Sequence, residues 1–339
     1  GMKLHTGEKM NWLIFIWAVY LFFIRGRRFI PKMSKASFMG FFLFFILIAY
    51  VVSGRWDGAT YLISFLTVFC FSNIDLSAKE LSVSAFAIGL LGLGLITIYT
   101  RTQILSGWND NSIAMLTLFS FIYFSIFFNS SQQRWIRSAC WIMAFAYISQ
   151  IAGTDSRGSL LFMLLSIVMM FARETTYRFI SSSTIRALIV YFPIIIAIVV
   201  VWITSQDWFV ELDNWSRLNF GKPIFNGRDE LWADGFKDII NYPFGRGKFV
   251  INYHNSAVGC IGVFGIVGYV LWCNFFKRQL SALTEYLEDY TVYACMCAFI
   301  LIYLQQSVEL GFINRMPNMI PYMILGLGLG KVRMYESSL

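Results

Sequence analysis

The chain has 339 residues, of which 58% are hydrophobic and 14% are charged, and its formal net charge is +8. A soluble domain is usually about 45–50% apolar and about 25% charged. The composition therefore excludes an ordinary soluble globular protein and predicts that lipid is the solvent for much of the surface. The positive charges lie in short loops between apolar runs rather than in a basic tail, so no nucleic-acid partner is expected.

Eleven apolar runs follow a polar N-terminal stretch. Residues 1–10 are interpreted as a tail or the remnant of an expression tag and are set aside. Each later run is long enough, or nearly so, to cross about 30 Å of hydrocarbon as an α-helix. This pattern predicts an all-α polytopic membrane protein with about eleven, or twelve, transmembrane helices. The predicted spans are 11–24, 38–53, 58–74, 82–100, 111–129, 138–153, 159–172, 187–204, 257–276, 291–306 and 318–330.

The distribution of Lys and Arg predicts the side that each loop faces. When the basic loop 25–37 is placed in the cytoplasm, alternation puts most of the basic loop residues on that side. The short loops on the other side then hold only Arg55, Arg101, Arg157 and Arg315. The positive-inside rule favours this orientation, which also places the C-terminus in the cytoplasm.

One segment is much longer than the other loops, and it faces outwards in this topology. It covers 205–256 and separates transmembrane helices 1–8, in 11–204, from helices 9–11 and a cytoplasmic tail, in 257–339. Within it, 228–240 is predicted to form a short amphipathic helix that ends at the Pro and Gly of 243–245. Its apolar face comprises Trp232, Phe236, Ile239 and Ile240. Long loops of this kind are commonly functional.

Histidine is scarce, which narrows the choice of a general base. Of the two histidines, His5 lies in the set-aside tail and His254 lies where the long loop re-enters the membrane. A lone histidine is often structural, but this position favours a base near neutral pH. No metal site is expected because no second histidine can join it. The six cysteines fall in apolar runs without a CxxC pair and are expected to be small buried side chains.

Several charged residues on the predicted outer face could bind an anion or act as a base. Arginine is disfavoured in short external loops, so an ion pair, a lipid headgroup or an anionic substrate must account for it. The guanidinium matches phosphate particularly well. Glu309 is either a rival base or an ion-pair partner of Arg315. Glu211 and Asp213 have the acid-x-acid spacing that can bind a divalent ion, but a single pair of this kind is weak evidence for a metal site. The arginine candidates are Arg157, Arg228, Arg246 and Arg315.

Three segments of the chain also resemble the motifs of one enzyme family. In order, spacing and predicted sidedness, they are similar to the O-antigen ligase and polysaccharide polymerase superfamily of bacterial membrane glycosyltransferases. The resemblance covers residues 150–275, and upstream it extends only to hydropathy. The segments are Ser156-Arg-Gly158 at the start of a span, Gly227-Arg228 with Pro243-Phe-Gly-Arg-Gly247 in the long loop, and His254-Asn255 before the next span.

The resemblance implies a fold related to the all-helical GT-C class and a site on the periplasmic face of the bacterial inner membrane. The implied reaction transfers glycan from an undecaprenyl-diphosphate-linked oligosaccharide to a sugar hydroxyl with inversion, without a cofactor or a required metal. His254 would be the base, and Arg157 and Arg228 would hold the diphosphate. Arg315 and Arg246 would also bind the diphosphate, in support of the first two arginines, and Glu309 and Asn255 would be accessory residues. A chain-length regulator or lipid A–core is the further partner implied.

Two acceptors stay open at this stage. A polymerase joins lipid-linked repeat units, whereas an O-antigen ligase transfers glycan to lipid A–core. The short, Phe-rich chain favours a polymerase by association alone. A transporter or flippase of lipid-linked glycan is the non-enzymatic alternative, although the polar groups gather at the outer ends of the spans and not at mid-membrane.

Overall fold

The computed structural model describes residues 6–25, 47, 51, 60–74, 77–102, 110–130, 134–154, 156–247, 253–309 and 318–338. Within these residues the protein is all-helical, without strands. The helices are α1 Thr6–Arg25, α2 Thr60–Ser72, α3 Ala78–Arg101, α4 Asp110–Ser130, α5 Arg134–Ala152, α6 Arg157–Phe171, α7 Arg173–Ser181, α8 Ser183–Thr204, α9 Asp207–Phe220, α10 Arg228–Asn241, α11 Ser256–Thr284, α12 Tyr290–Gln305 and α13 Met319–Ser338.

Several long apolar helices are consistent with membrane insertion. Among the described residues, α3, α8 and α11 are long and apolar enough to cross a bilayer, and α6 with α7 would add a fourth span bent by 99°. Shorter apolar helices lie within α1, α2, α4 and α12. The predicted span 38–53 falls almost entirely outside the described residues, and the count of eleven spans stays a prediction.

The apolar helices differ in which neighbours cover them. Almost every side chain of α12 is buried, and this helix packs against α4, α6 and α13 at the centre of the bundle. By contrast, α3 and α8 leave large apolar side chains open, including Leu91 at 72% and Trp202 at 63% exposure. An exposed apolar surface of this kind needs a lipid or protein neighbour, and lipid meets that need without a partner chain.

The long segment between α8 and α11 contains two helices. The predicted helix is confirmed as α10, whose Trp232 is buried and which packs against α8 and α11, but Ile240, predicted to lie on its apolar face, is exposed at the end of the helix. The sequence did not predict α9, which buries Phe209 and Ser216 and ends at Gly221 in a left-handed conformation. The assignment of this segment to the outer side stays a prediction.

The end of the long segment docks on a break in α11. Gly265 has φ of +73°, which interrupts the helix and frees its carbonyl groups. The backbone N–H of Arg246 donates to Gly262 O and that of Gly247 to Val263 O, both at 2.8 Å, and Ile266 N–H donates to Pro243 O at 3.0 Å. Close approach requires glycine on both sides, since a Cβ on Gly265 would lie 2.5 Å from a backbone atom of the loop.

Candidate functional site

A cavity of about 250 Å³ lies where several helix ends meet. Helices α4, α6 and α11 begin beside it and α12 ends beside it, so backbone and side-chain polar groups are concentrated there. Most of its lining is polar, which distinguishes it from the apolar interior of the bundle. The lining residues are Asn111, Met115, Ser156, Ser159, Asn226, Arg228, Leu231, His254, Gln305 and Glu309.

Arg228 reaches the cavity because two consecutive residues turn the chain immediately before α10. Asn226 and Gly227 have φ of +55° and +78°, a left-handed conformation that asparagine tolerates and glycine adopts without steric cost. Arg228 is then the first residue of the helix, followed by Asp229 and Glu230, whose charges favour a helix N-terminus. The turn thus places a cation at the cavity wall, and its guanidinium pairs with the Glu309 carboxylate.

His254 occupies an unusual backbone conformation beside the start of α11. Its φ is +49°, which costs a residue with a Cβ about 1–3 kcal/mol. The preceding residue, Tyr253, is held on both sides, because its carbonyl accepts the Trp232 indole N–H at 2.7 Å and its hydroxyl donates to Asp238. The surroundings therefore fix the histidine where the chain alone would not.

Asn255 anchors the other side of His254. Its Oδ1 accepts the backbone N–H groups of Ala257 and Val258 at 2.9 and 3.0 Å, which caps α11. Its Nδ2 donates to Pro193 O at 2.9 Å and Ser307 O at 2.8 Å. One buried side chain thus ties α8, α11 and the turn after α12 together, and it does so without lining the cavity.

Glu309 lies in the turn after α12 and connects the arginine to the histidine. One carboxylate oxygen contacts the Arg228 guanidinium, and the other lies 3.8 Å from His254 Nδ1. Burial alone would raise the pKa of Glu309, but the neighbouring His254 and Arg228 outweigh it and hold that pKa below its ordinary value. The carboxyl group is therefore ionised at neutral pH.

The other polar residues that line the cavity were not predicted as site residues. Ser156 and Ser159 are buried at the start of α6, and the Ser156 hydroxyl donates to the Ser159 hydroxyl at 3.0 Å. Gln305, at the end of α12, is buried and accepts from Gln306. Only Ser156 carried a signal in the sequence, as the first residue of the Ser-Arg-Gly segment.

The predicted site residues fall into groups. The cavity brings together His254, Arg228 and Glu309, and Asn255 anchors the chain next to His254 through hydrogen bonds outside the cavity. Arg157 begins α6 but is exposed and does not line the cavity, although Ser156 beside it does. The predicted residue Arg315 lies outside the described residues.

Arg246 belongs to a different cluster. Its guanidinium contacts the Asp238 carboxylate at 2.5 Å and lies 4.3 Å from the centroid of the Tyr242 ring. The weak acid-x-acid pair is also used locally: Asp213 accepts from Ile224 N–H at 2.7 Å and from Arg217 at 2.8 Å. Both clusters stabilise the long segment rather than line the cavity.

Among the described residues, neither metal-ligand groups nor thiols indicate a second candidate functional site. In the part of the chain that the structure describes, no group of three or more His, Cys, Asp or Glu side chains could hold a metal ion. The six cysteines are buried and unbridged, as the sequence predicts. Comparison of the chain with protein-family models, with curated proteins and with solved structures gives no match.

Proposed function

We propose that this protein is a membrane glycosyltransferase that transfers glycan from an undecaprenyl-diphosphate-linked donor to a sugar hydroxyl on the periplasmic face of the bacterial inner membrane. The observation that carries the proposal is the convergence of three distant segments. Ser156, Arg228 and His254 come from the three motifs of the sequence resemblance, and all three line the same cavity. Residues that are distant in the sequence but line one polar cavity can act on the same ligand.

The reaction needs two chemical roles that the cavity can supply. The Arg228 guanidinium would bind the diphosphate, whose charge grows as it leaves. His254 would accept the proton of the acceptor hydroxyl. The acceptor oxygen forms a bond to the anomeric carbon as the bond from that carbon to the diphosphate oxygen breaks. The electron pair of the broken bond stays on the diphosphate, and attack from the opposite face inverts the anomeric centre.

The position of the cavity agrees with the predicted topology. Helices α4, α6 and α11 begin at the cavity and α12 ends there. In the orientation favoured by the positive-inside rule, each of these helix ends lies on the outer side. A lipid-linked glycan exposed on that side would meet the cavity at the membrane surface, where its diphosphate group lies.

The acceptor proposed is a second lipid-linked repeat unit, which makes the protein an O-antigen or surface-polysaccharide polymerase. The test uses the purified full chain in proteoliposomes with undecaprenyl-diphosphate-linked oligosaccharide. Elongated lipid-linked glycan and released undecaprenyl diphosphate are the expected products. Transfer only to added lipid A–core would replace the polymerase with a ligase, and movement of donor across the bilayer without a new glycosidic bond would overturn the enzymatic proposal.

His254→Asn is the variant that tests the base. Asparagine tolerates the left-handed backbone at this position, so the substitution removes the imidazole with little backbone strain. We expect turnover to fall by about 10²–10⁴-fold, the usual contribution of a general base. The matched control is Arg246→Gln, a change outside the cavity. Full turnover by His254→Asn on purified donor would refute the assignment of the base.

A further inference from the structure

Glu309 is placed between the two groups on which the proposed reaction depends. Its two carboxylate oxygens face different partners, the Arg228 guanidinium and Nδ1 of His254. The three side chains come from separate parts of the chain: the start of α10, the junction before α11 and the turn after α12. A simple structural ion pair would need only Arg228 and Glu309, so the presence of the histidine ring calls for a further explanation.

The two edges of the His254 ring lie in different environments. Nδ1 is buried, whereas the side chain as a whole is 35% exposed and lines the cavity. The edge that carries Nδ1 therefore faces Glu309, while the ring as a whole forms part of the cavity wall. The distance of 3.8 Å is longer than a hydrogen bond, as is common for catalytic pairs before substrate binds.

The identity of the partner decides which nitrogen carries the proton. A carboxylate is only an acceptor, so the nitrogen that faces it must be the donor. Arg228 is only a donor, and its contact keeps Glu309 ionised and fixed in orientation. With the proton on Nδ1, neutral His254 has an unprotonated Nε2, and this is the form that can accept a proton at that atom.

We propose that Glu309 is the positioning residue of His254 and sets the Nδ1–H tautomer, in which Nε2 is unprotonated and can take the proton of the acceptor hydroxyl. After that transfer, the carboxylate faces an imidazolium and stabilises its charge. The assignment deepens the proposed function and rests on it for the catalytic role of Nε2. The orientation and tautomer of His254, however, are properties of the resting protein and can be measured without substrate.

The substitution Glu309→Gln gives a sharp prediction because Arg228 orients the new amide. Arg228 offers only donors, so the amide oxygen faces the guanidinium and the amide NH₂ group faces Nδ1. Nδ1 must then act as an acceptor, which moves the proton to Nε2. The wrong tautomer should lower kcat by about 10³–10⁴-fold, the scale seen when an orienting carboxylate is replaced by its amide. KM for the lipid-linked donor should change much less.

The direct measurement is nitrogen NMR of the full chain with ring-labelled histidine. Since the chain has two histidines, His5→Gln leaves His254 as the only labelled ring once any affinity tag is removed. Nitrogen chemical shifts distinguish a protonated from an unprotonated ring nitrogen, and the wild-type spectrum at a pH where the ring is neutral should show the Nδ1–H form. Glu309→Gln should show the Nε2–H form, and Glu309→Asp should retain part of the wild-type signal.

The outcomes separate this inference from the proposed function. An Nε2–H tautomer in the wild-type spectrum would overturn the role of Glu309, even if Glu309→Gln cannot be purified. An unchanged tautomer in Glu309→Gln, with reduced stability alone, would reduce the residue to a structural ion pair. If the Nδ1–H form is found but no glycan is transferred by the wild-type chain, the positioning role stands and the proposed reaction fails.

Discussion

Two arginines of the same long segment form similar ion pairs in different surroundings. The pair of Arg228 with Glu309 and the pair of Arg246 with Asp238 are about equally buried, with side-chain exposures of 26% and 25% against 24% and 18%. Arg228 and Glu309 line the cavity beside His254. Arg246 instead contacts the Tyr242 ring, and Asp238 accepts from the Tyr253 hydroxyl.

The difference between the pairs lies in what surrounds them rather than in the arginines themselves. Sequence alone made both arginines candidates for binding phosphate, since each lies on the predicted outer face and a guanidinium matches phosphate. Asp238 is also bound by the Tyr253 hydroxyl, so the Arg246 pair belongs to a local hydrogen-bonded cluster. The Arg228 pair faces the cavity instead. The space beside each arginine, and not its sequence context, therefore distinguishes the two pairs.

The largest difference in turnover between the two pairs is expected when each arginine is replaced by glutamine. Arg228→Gln removes the charge that would bind the departing diphosphate, so turnover should fall by about 10²–10³-fold. Arg246→Gln should leave turnover per folded molecule close to that of the wild type. Both are measured on lipid-linked donor in proteoliposomes. Equal losses in the two variants would show that the cavity does not select between the arginines.

The loop that carries Arg246 should be the more sensitive of the two regions to added volume. Gly245 has φ of +82°, and a Cβ there would lie 2.5 Å from backbone atoms of α11. Gly245→Ala should therefore lower the free energy of unfolding by about 2–4 kcal/mol, from strain and overlap together. Thermal unfolding in detergent provides the measurement. Gly158→Ala is the control, since its Cβ would meet nothing within 4 Å, and a comparable loss there would contradict the contact.

A smaller effect is expected in the hydrogen-bonded cluster of Asp238, Arg246 and Tyr253. Tyr253→Phe removes the hydroxyl that donates to Asp238 but leaves the Arg246 pair intact. A hydrogen bond to a charged, partly exposed group contributes about 1–2 kcal/mol. The unfolding midpoint should fall accordingly, and turnover of folded protein should fall far less than in Arg228→Gln, since the Trp232 bond still holds Tyr253. Tyr242→Phe keeps the ring beside Arg246 and should have little effect, so a larger loss in this control would point to a different network.

The smallest expected effect is a pH dependence that belongs to the cavity pair. The pKa of Glu309 is held below 4.5 in the folded protein, so the unfolded chain binds its proton first as pH falls. This contribution is fully present above the unfolded pKa and is lost as pH falls through the folded pKa. Glu309→Gln should therefore flatten the acid limb of stability against pH. Asp213→Asn reports the same effect for a carboxyl outside the cavity, whose pKa is lowered chiefly by the Ile224 N–H bond.

The sequence predicted the helices well where hydrophobicity or helix-end signals are strong. The apolar runs of α3 and α8 and the start of α10 after Gly227 were all recognisable. The sequence did not reveal α9, because its polar and apolar residues alternate without a long apolar run. A weak signal was present in Trp208, Leu212 and Trp215, which share one helical face.

The candidate site was predictable in its residue types but not in its pairings. The scarcity of histidine identified His254, and the turn before α10 identified Arg228. Nothing local in the sequence connects Arg228 with Glu309, which is 81 residues away. The structural role of Asn255 was also hidden, because its carbonyl partners belong to α8 and to the turn after α12. Long-range contacts of this kind depend on packing that no local motif records.

The close approach of Gly245 to Gly265 helps to hold one side of the cavity in place. Backbone hydrogen bonds fasten the loop to α11, while Trp232 and Tyr253 fasten α10 to the residues before α11. Together they join α10, the loop and the start of α11 into one unit that carries Arg228 and His254. The first turns of α4 and α6 line the cavity from other helices. Any change in the width of the cavity is therefore expected to come from movement of those turns, while Arg228 and His254 keep their positions relative to each other.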